Sequence, residues 1–257
     1  DIGFSRGIAA FDFFRTYNRT PFHLEDHFKR LQISCETIGL TVPYTFQEVE
    51  KLVSFMVKSS AEDIAIKLIV TGGIESQGFL PVNPELFSLC VPLPHVPNEK
   101  RRLGVHVAFT RHTRQLPLVK SLNYLSASLG MQEGRKKFGP IDDVLYVNSK
   151  GQVLEASTAN LFIIKNQTLI TPCDEILFGI TRKIVIQLGL ELGLEVKEQP
   201  VSIQDVLEAD EAFLTSTTRE ILPIGRIESL DKPVMSWTFT PKLIKAFENY
   251  ILQSIQL

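Results

Sequence analysis

The sequence predicts a mixed α/β fold, α+β in its local order, divided into two units. Three observations lead there. Strand-like and helix-like periodicities alternate along the 257 residues. A proline-rich seam over residues 92–100 interrupts them, and the same mixture resumes beyond it. Pro92, Pro94 and Pro97 each fix φ and remove a backbone donor, which forbids a helix and a central strand, so the seam reads as an extended connector. The expected units are a smaller one over residues 1–95 and a larger one over residues 96–257. The chain is long enough to give each a core.

Residues 9–17 are rich in aromatics (Phe11, Phe13, Phe14) and read as a buried strand. Residues 23–40 place Phe28, Leu31, Cys35 and Ile38 at helical spacing, with Gly39 closing the helix. Thr45 and Glu48 form a capping-box signature at the head of a second helix over about 45–59. Residues 65–71 form a strand ended by Gly72 and Gly73. Beyond the connector, residues 104–110 and 144–148 look like strands. Residues 149–152 are a tight turn, and 153–165 return as one long strand. Asn166 and Gln167 turn the chain into a strand at 168–171. Ile184, Leu188 and Leu192 mark one face of a helix over 181–193 that Gly193 terminates. Residues 212–217 form a strand feeding a polar turn. No internal repeat or low-complexity segment interrupts this order.

A hydrophobic content of 44%, a charged content of 22% and a net charge of −2 are those of a soluble globular protein. They give no general drive toward nucleic acid or an anionic membrane. No apolar run approaches the roughly 20 residues that span a bilayer, and the opening residues carry no signal or transit pattern. Cys35, Cys90 and Cys173 are far apart, form no CxxC pair and suit a reducing cytoplasm, the expected location. The chain opens at Asp1 without a methionine, and a preceding segment is expected.

Lys120 follows the apolar run Leu116-Pro117-Leu118-Val119 and precedes a polar turn and Tyr124. An amine held against apolar neighbours loses hydration in its charged form, so its pKa falls and it becomes a nucleophile. Such a lysine forms a Schiff base with an aldehyde cofactor. The segment alone does not decide this, because most lysines at strand ends are solvated surface groups.

Three further segments change the weight: Gly151 to Phe162, which contains Glu155-Ala156-Ser157-Thr158-Ala159-Asn160; Gly179-Ile180-Thr181-Arg182; and Leu214-Thr215-Ser216-Thr217-Thr218-Arg219-Glu220. With Lys120, their order and spacing resemble the class IV pyridoxal-phosphate enzymes: branched-chain aminotransferases, D-amino acid aminotransferases and 4-amino-4-deoxychorismate lyases. The resemblance runs from Asp1 to at least Ile227. It implies the two-domain fold of type IV pyridoxal-phosphate enzymes, with the active site in the interdomain cleft. Pyridoxal 5'-phosphate as cofactor, amino acid and 2-oxo acid substrates, and a homodimer whose partner contributes to the substrate pocket also follow from it.

The same resemblance assigns roles. Lys120 would form the Schiff base and shuttle the proton. Glu155 would pair with the cofactor's ring nitrogen, keeping it protonated by charge pairing. Tyr124 would hydrogen-bond the phenolic oxygen. Ile180 and Thr181, at a helix start where free N–H groups favour an anion, would hold the phosphate with Ser216 and Thr217. Arg30 would pair with the phosphate through its planar fork.

The substrate half departs from the family. Phe11 stands where a tyrosine is frequent, removing a hydroxyl from the expected pocket. The Arg-x-His carboxylate trap of the D-amino acid enzymes is absent from Thr71-Gly72-Gly73-Ile74-Glu75, as is the Arg-Gly pair of the lyases. Candidate carboxylate binders are Arg6, Arg111, Arg114 and the backbone at Gly72 and Gly73, with Arg114 preferred. Ser216-Thr217-Thr218 favours transamination over the lyase reaction. Two other readings compete: a non-catalytic cofactor carrier, and a zinc hydrolase built on His23 and His27. The latter lacks the glutamate directly after the first histidine, where Leu24 stands.

Overall fold

The computed structural model of the protein describes residues 1–74 and 76–255. Glu75, in the segment compared with the carboxylate trap, and positions 256–257 lie outside it. The chain divides into two compact units. The first takes Asp1–Pro94, Leu118–Asn123 and the chain from Ile251, and the second takes His95–Pro117 and Tyr124–Tyr250. This corrects the sequence-based division, which gave Lys120 to the second unit. The backbone is the reason: Phe11 N–H donates to the Lys120 carbonyl at 2.8 Å, and Ala10 bridges Ser121.

In the first unit a four-stranded antiparallel sheet is built on β1 (Ala9–Tyr17), β2 (Ile64–Thr71) and β3 (Glu85–Pro92). α1 (Leu24–Thr37) and α2 (Phe46–Lys58) cover one face. Alternation along β1 and β2 sends Ala10, Phe14, Ile66, Leu68 and Val70 into a core shared with Phe28, Leu31, Cys35, Val49 and Val53. The expected capping box is present: Thr45 and Glu48 bond reciprocally at the head of α2. No strand was expected over residues 85–91, and the connector was read from Pro92, the residue that ends β3. Pro92 sits opposite Ile64 at the end of an edge strand, where a missing N–H is tolerated. Residues Asn98–Leu103 then form a short helix, so the extended connector is shorter than the sequence suggested.

The second unit is built on β4 (Val105–Arg111), α3 (Leu125–Phe138), β5 (Asp143–Val147), β6 (Gln152–Ala156), β7 (Asn160–Lys165), β8 (Thr168–Thr171), α4 (Ile180–Glu191), β9 (Glu211–Ser216) and β10 (Glu220–Ile227). A ten-stranded sheet runs through β8-β7-β9-β10-β4-β5-β6, and β6 also pairs with β7, so the strands from β7 round to β6 close into a ring with β8 outside it. Its lining is aliphatic: Val107, Leu145, Val153, Leu161, Ile163, Leu214, Leu222 and Ile224 are buried together.

The single strand expected over residues 153–165 is therefore two. Ala156 N–H donates to Ala159 O at 2.7 Å, and the buried Asp143 carboxylate accepts the Ser157 N–H and hydroxyl. That turn brings Glu155 directly opposite Asn160. A last helix, α5 (Phe239–Ser254), starts on the buried Glu211 carboxylate, which accepts the N–H groups of Thr238, Phe239 and Thr240 at 2.7, 2.9 and 2.6 Å. No helix among the described residues is long and apolar enough to cross a membrane.

Candidate active site

In the first unit, Lys120 is held by its backbone. Its N–H donates to Ser34 Oγ at 3.2 Å and its carbonyl accepts from Phe11. The Lys120 Nζ lies 4.8 Å from the centroid of the Phe11 ring, and Lys67 Nζ lies 4.3 Å from the same centroid. Phe11, expected in the substrate pocket, is thus a buried ring facing two amines. The run before Lys120 is less enclosing than expected: Val119 is buried, but Leu116 and Leu118 are exposed.

Lys67 was missed by sequence reasoning. It lies on β2 between Phe13 of β1 and Leu89 of β3. Burial pushes its ammonium below the ordinary lysine range. Its Nζ lies against the Phe11 ring, and no hydrogen bond or ion pair engages it among the described residues. A cation in the middle of an apolar strand was the available signal.

Asp12, next to Phe11, is buried and turned to the helix-covered face. Arg30 grips it with Nε and Nη2, each at 2.8 Å, and His27 Nδ1 lies 2.7 Å from Oδ1. Burial pushes the Asp12 carboxyl up, but Arg30 and His27 outweigh it and hold the group well below the usual carboxylate range. Burial lowers the His27 pKa more than Asp12 raises it, so His27 is neutral at pH 7. Its Nδ1 therefore carries the proton donated to Asp12 and cannot also accept from Arg30. Two nitrogens of Arg30, expected on the phosphate, are committed to Asp12. His23 and His27, the pair of the zinc reading, turn to different acids, His23 Nδ1 lying 2.8 Å from Asp26. Gly72 and Gly73 are fixed by backbone needs. Gly72 N–H donates to Ile8 O at 3.0 Å, which removes it as a carboxylate donor. Gly73 has φ 86°, and a Cβ there would stand 1.9 Å from Asn83 O.

In the second unit the buried Glu155 carboxylate gathers donors from three segments. Arg114 Nη1 donates to Oε1 at 3.1 Å, while Leu177 N–H and Asn160 Nδ2 approach Oε2 at 3.1 and 3.3 Å. Arg114, expected to bind a substrate carboxylate, is turned onto this acid instead. Burial and Arg114 push the His112 pKa down, and burial raises the Tyr146 hydroxyl to about 12, aided by Asp143 and Glu155. Both rings are neutral at pH 7, so they do not compete with Arg114 for the acid. Tyr124 caps α3 by position and packs against the cluster of Ala108, Ile141 and Tyr146.

Two residues after Leu177, Gly179 is the N-cap of α4, and no side chain caps that helix among the described residues. Ile180 and Thr181 form its first turn, whose N–H groups have no acceptor within the helix. Arg182 is buried behind them, bound to Thr171 Oγ1, Pro172 O and Glu198. Ser216 accepts the Arg219 N–H at 3.3 Å, and Arg219 is anchored on Asp143, which shapes the turn carrying Thr217. On the same sheet face as Asn160, the buried Thr215 hydroxyl has no hydrogen-bond partner among the described residues. No group of three or more His, Cys, Asp or Glu that could hold a metal ion occurs among the described residues.

A two-sheet α/β chain with a seated lysine, a donor-held buried acid and an uncapped glycine-led helix start is the frame of an amino-transferase class IV protein, and the profile of that family matches residues 9–227. The chain belongs to this family and is an enzyme of its class. It is 34% identical over 240 residues to a Methanocaldococcus jannaschii protein named for branched-chain-amino-acid aminotransferase, covering 89% of this chain and 81% of that one. It is 30% identical to the D-alanine aminotransferase of Listeria monocytogenes, covering 90% and 82%. A solved Legionella pneumophila structure bearing the name 4-amino-4-deoxychorismate lyase superposes with a TM-score of 0.85 at 26% identity, covering 96% of this chain and 92% of that one.

Proposed function

We propose that the enzyme moves an amino group between an amino acid and a 2-oxo acid on pyridoxal 5'-phosphate, with Lys120 as the point of covalent attachment. The observation that carries this is Glu155: a buried carboxylate held by Arg114, Asn160 and Leu177 N–H, in chain continuity with an uncapped helix start. The orphaned Thr215 hydroxyl supports the same fit, since a buried polar atom without a partner marks a place where a polar group is missing.

When bound, the coenzyme supplies an electron sink for charge developing at the substrate Cα. The chain's own groups do the rest. Glu155 holds the proton on the ring nitrogen, and Arg114 pairs with Glu155 and fixes its orientation. The first-turn amides of Ile180 and Thr181, with Ser216 and Thr217, carry the phosphate dianion. Arg30, oriented by Asp12, adds positive charge toward the same group. Tyr124 donates its hydroxyl proton toward the phenolic oxygen. The Lys120 amine takes the α-proton and returns it one atom further along. Lys67 replaces Arg114 as the group that binds a substrate carboxylate, because a desolvated cation without an anionic partner gains most from one. Phe11 walls that position. The assembly proposed is a homodimer, to be read from sedimentation.

The test is borohydride reduction of the purified, coenzyme-loaded protein followed by peptide mapping. Coenzyme should be found fixed on Lys120, and a tag elsewhere, or none, removes the proposal. The Legionella neighbour's name favours the lyase as a second reading, since that reaction begins at the same α-proton. A panel of L- and D-amino acids separates the two. Loss of the visible band without added 2-oxo acid marks transamination, no loss with any amino acid marks the lyase, and binding without exchange of the amino group marks a carrier.

A further inference from the structure

Asn160 faces two groups that the proposed reaction uses for different ends. It lies on β7 opposite Glu155 of β6 and is buried. Its Nδ2 donates to the Leu177 carbonyl at 2.7 Å and stands 3.3 Å from Glu155 Oε2, the oxygen that also receives the Leu177 N–H at 3.1 Å. A closed ring of polar contacts therefore joins the acid to the segment leading into α4. The other end of the carboxamide packs against the N-cap of that helix: a Cβ placed on Gly179 would lie 2.2 Å from Asn160 Oδ1. Only glycine fits beside this side chain.

We propose that Asn160 is a positioning residue that locks the carboxylate of Glu155 and the Gly179–Thr181 turn into one geometry, so that the ring-nitrogen end and the phosphate end of the coenzyme are held together. The inference rests on the reading of Glu155 and the α4 start given above. The physics is local. Both groups facing Nδ2 are acceptors, and only a neutral amide nitrogen can donate to both without adding a second negative charge. Alanine at this position leaves the buried Leu177 carbonyl without its donor and frees Glu155 to rotate toward Arg114. Aspartate keeps the shape but, once ionised, sets a second carboxylate against Glu155.

The test titrates cofactor-free Asn160→Ala and Asn160→Asp protein with two probes, pyridoxal 5'-phosphate and pyridoxal. Asn160→Ala is expected to weaken pyridoxal 5'-phosphate binding roughly ten- to a hundredfold, the scale of a lost hydrogen bond to a charged group. It should also shrink the affinity ratio between the two probes, because the phosphate turn loosens together with the acid. Asn160→Asp, which is close to isosteric and guards against a folding failure, should bind progressively worse from pH 5 to pH 8, unlike the wild type. In a double-mutant cycle with Glu155→Gln the two losses should be smaller together than their sum. Variants that melt earlier but keep both dissociation constants and their ratio within about twofold of wild type would overturn the proposal, leaving Asn160 a fold residue. Wild-type protein that binds neither probe would remove the coenzyme reading itself, and this inference with it.

Discussion

Each unit buries one acid beside an arginine, and the two acids are served in opposite ways. Asp12 is clamped: the Arg30 fork and His27 take both oxygens, and its neighbour's Phe13 N–H adds a fourth donor at 2.7 Å. All four donors come from β1 itself and one helix. Glu155 is served by single donors from Arg114, Asn160 and Leu177, which lie in three separate segments. A bidentate fork costs orientation freedom and returns rigidity, the requirement of a stabilising pair. Donors from three segments tie the position of the Glu155 carboxylate to how those segments fold together, so it is placed by the second unit as a whole rather than by one helix. Burial and an arginine partner are common to both acids and do not separate them; the distribution of their donors does.

The largest effect that could break this contrast is on stability. Asp12→Ala leaves the Arg30 guanidinium without its buried counter-charge and should cost about 3–5 kcal/mol, read from urea unfolding. Glu155→Gln should instead unfold near the wild-type midpoint but lose turnover by about 10²–10³-fold, the scale of one preorganised electrostatic group. If the two substitutions exchange these signatures, the assignment of clamp and working acid is reversed. The clamp also has a pH signature. His27 has a folded pKa below the 6.5 of the free side chain, so below that pH the unfolded chain takes up a proton that the folded chain refuses. Stability should therefore fall as the pH drops from 7 toward 5, and fall again below the ordinary carboxylate range as Asp12, also lowered, is forced to protonate. His27→Gln should flatten the first of these declines. An unchanged slope in that variant would assign the proton to another group.

Next in size is the substrate end. Lys67→Ala should raise KM for the amino acid substrate by about ten- to a hundredfold with kcat little changed, as expected for loss of a charge-assisted contact made equally in ground and transition states. Lys67→Arg should restore most of it. A kcat loss at unchanged KM would place Lys67 in the chemistry rather than in binding.

Much of this was legible in the chain because the signals were local. The capping box, the β1 aromatics, the glycine-led start of α4 and the lysine before a turn each depend on a few neighbouring residues. What escaped depended on pairing across the sequence. β3 is held by its pairing with β2, and its last residue, Pro92, is tolerated because it lies at the end of an edge strand. The break between β6 and β7 depends on Asp143 capturing Ser157, fourteen residues away. Arg114 read as a substrate-binding arginine, and the acid beside Arg30 went unseen, because nothing local shows that each faces a buried carboxylate. Lys67 was not singled out, since its surroundings are set by Phe13, Leu89 and Phe11 on neighbouring strands. Lys120 fell in the wrong unit for the same reason: its hydrogen bond is to a strand more than a hundred residues earlier.

The smallest effect calibrates the largest. Thr45 caps α2 from the surface and touches neither buried acid; its hydroxyl accepts the Glu48 N–H at 3.4 Å, and its own N–H donates back to the Glu48 carboxylate at 2.8 Å. Removing one such cap costs about 1 kcal/mol in helices of this kind, because a single first-turn donor returns to water. Thr45→Ala should thus lower the urea midpoint slightly and leave the affinity for pyridoxal 5'-phosphate unchanged. Asp12→Ala, also within the first unit, must exceed that loss severalfold if the Arg30 fork is a clamp. Equal losses for the two would mean that Arg30 finds water or another acceptor when Asp12 is gone, and the contrast with Glu155 would then rest on donor geometry without an energetic difference behind it.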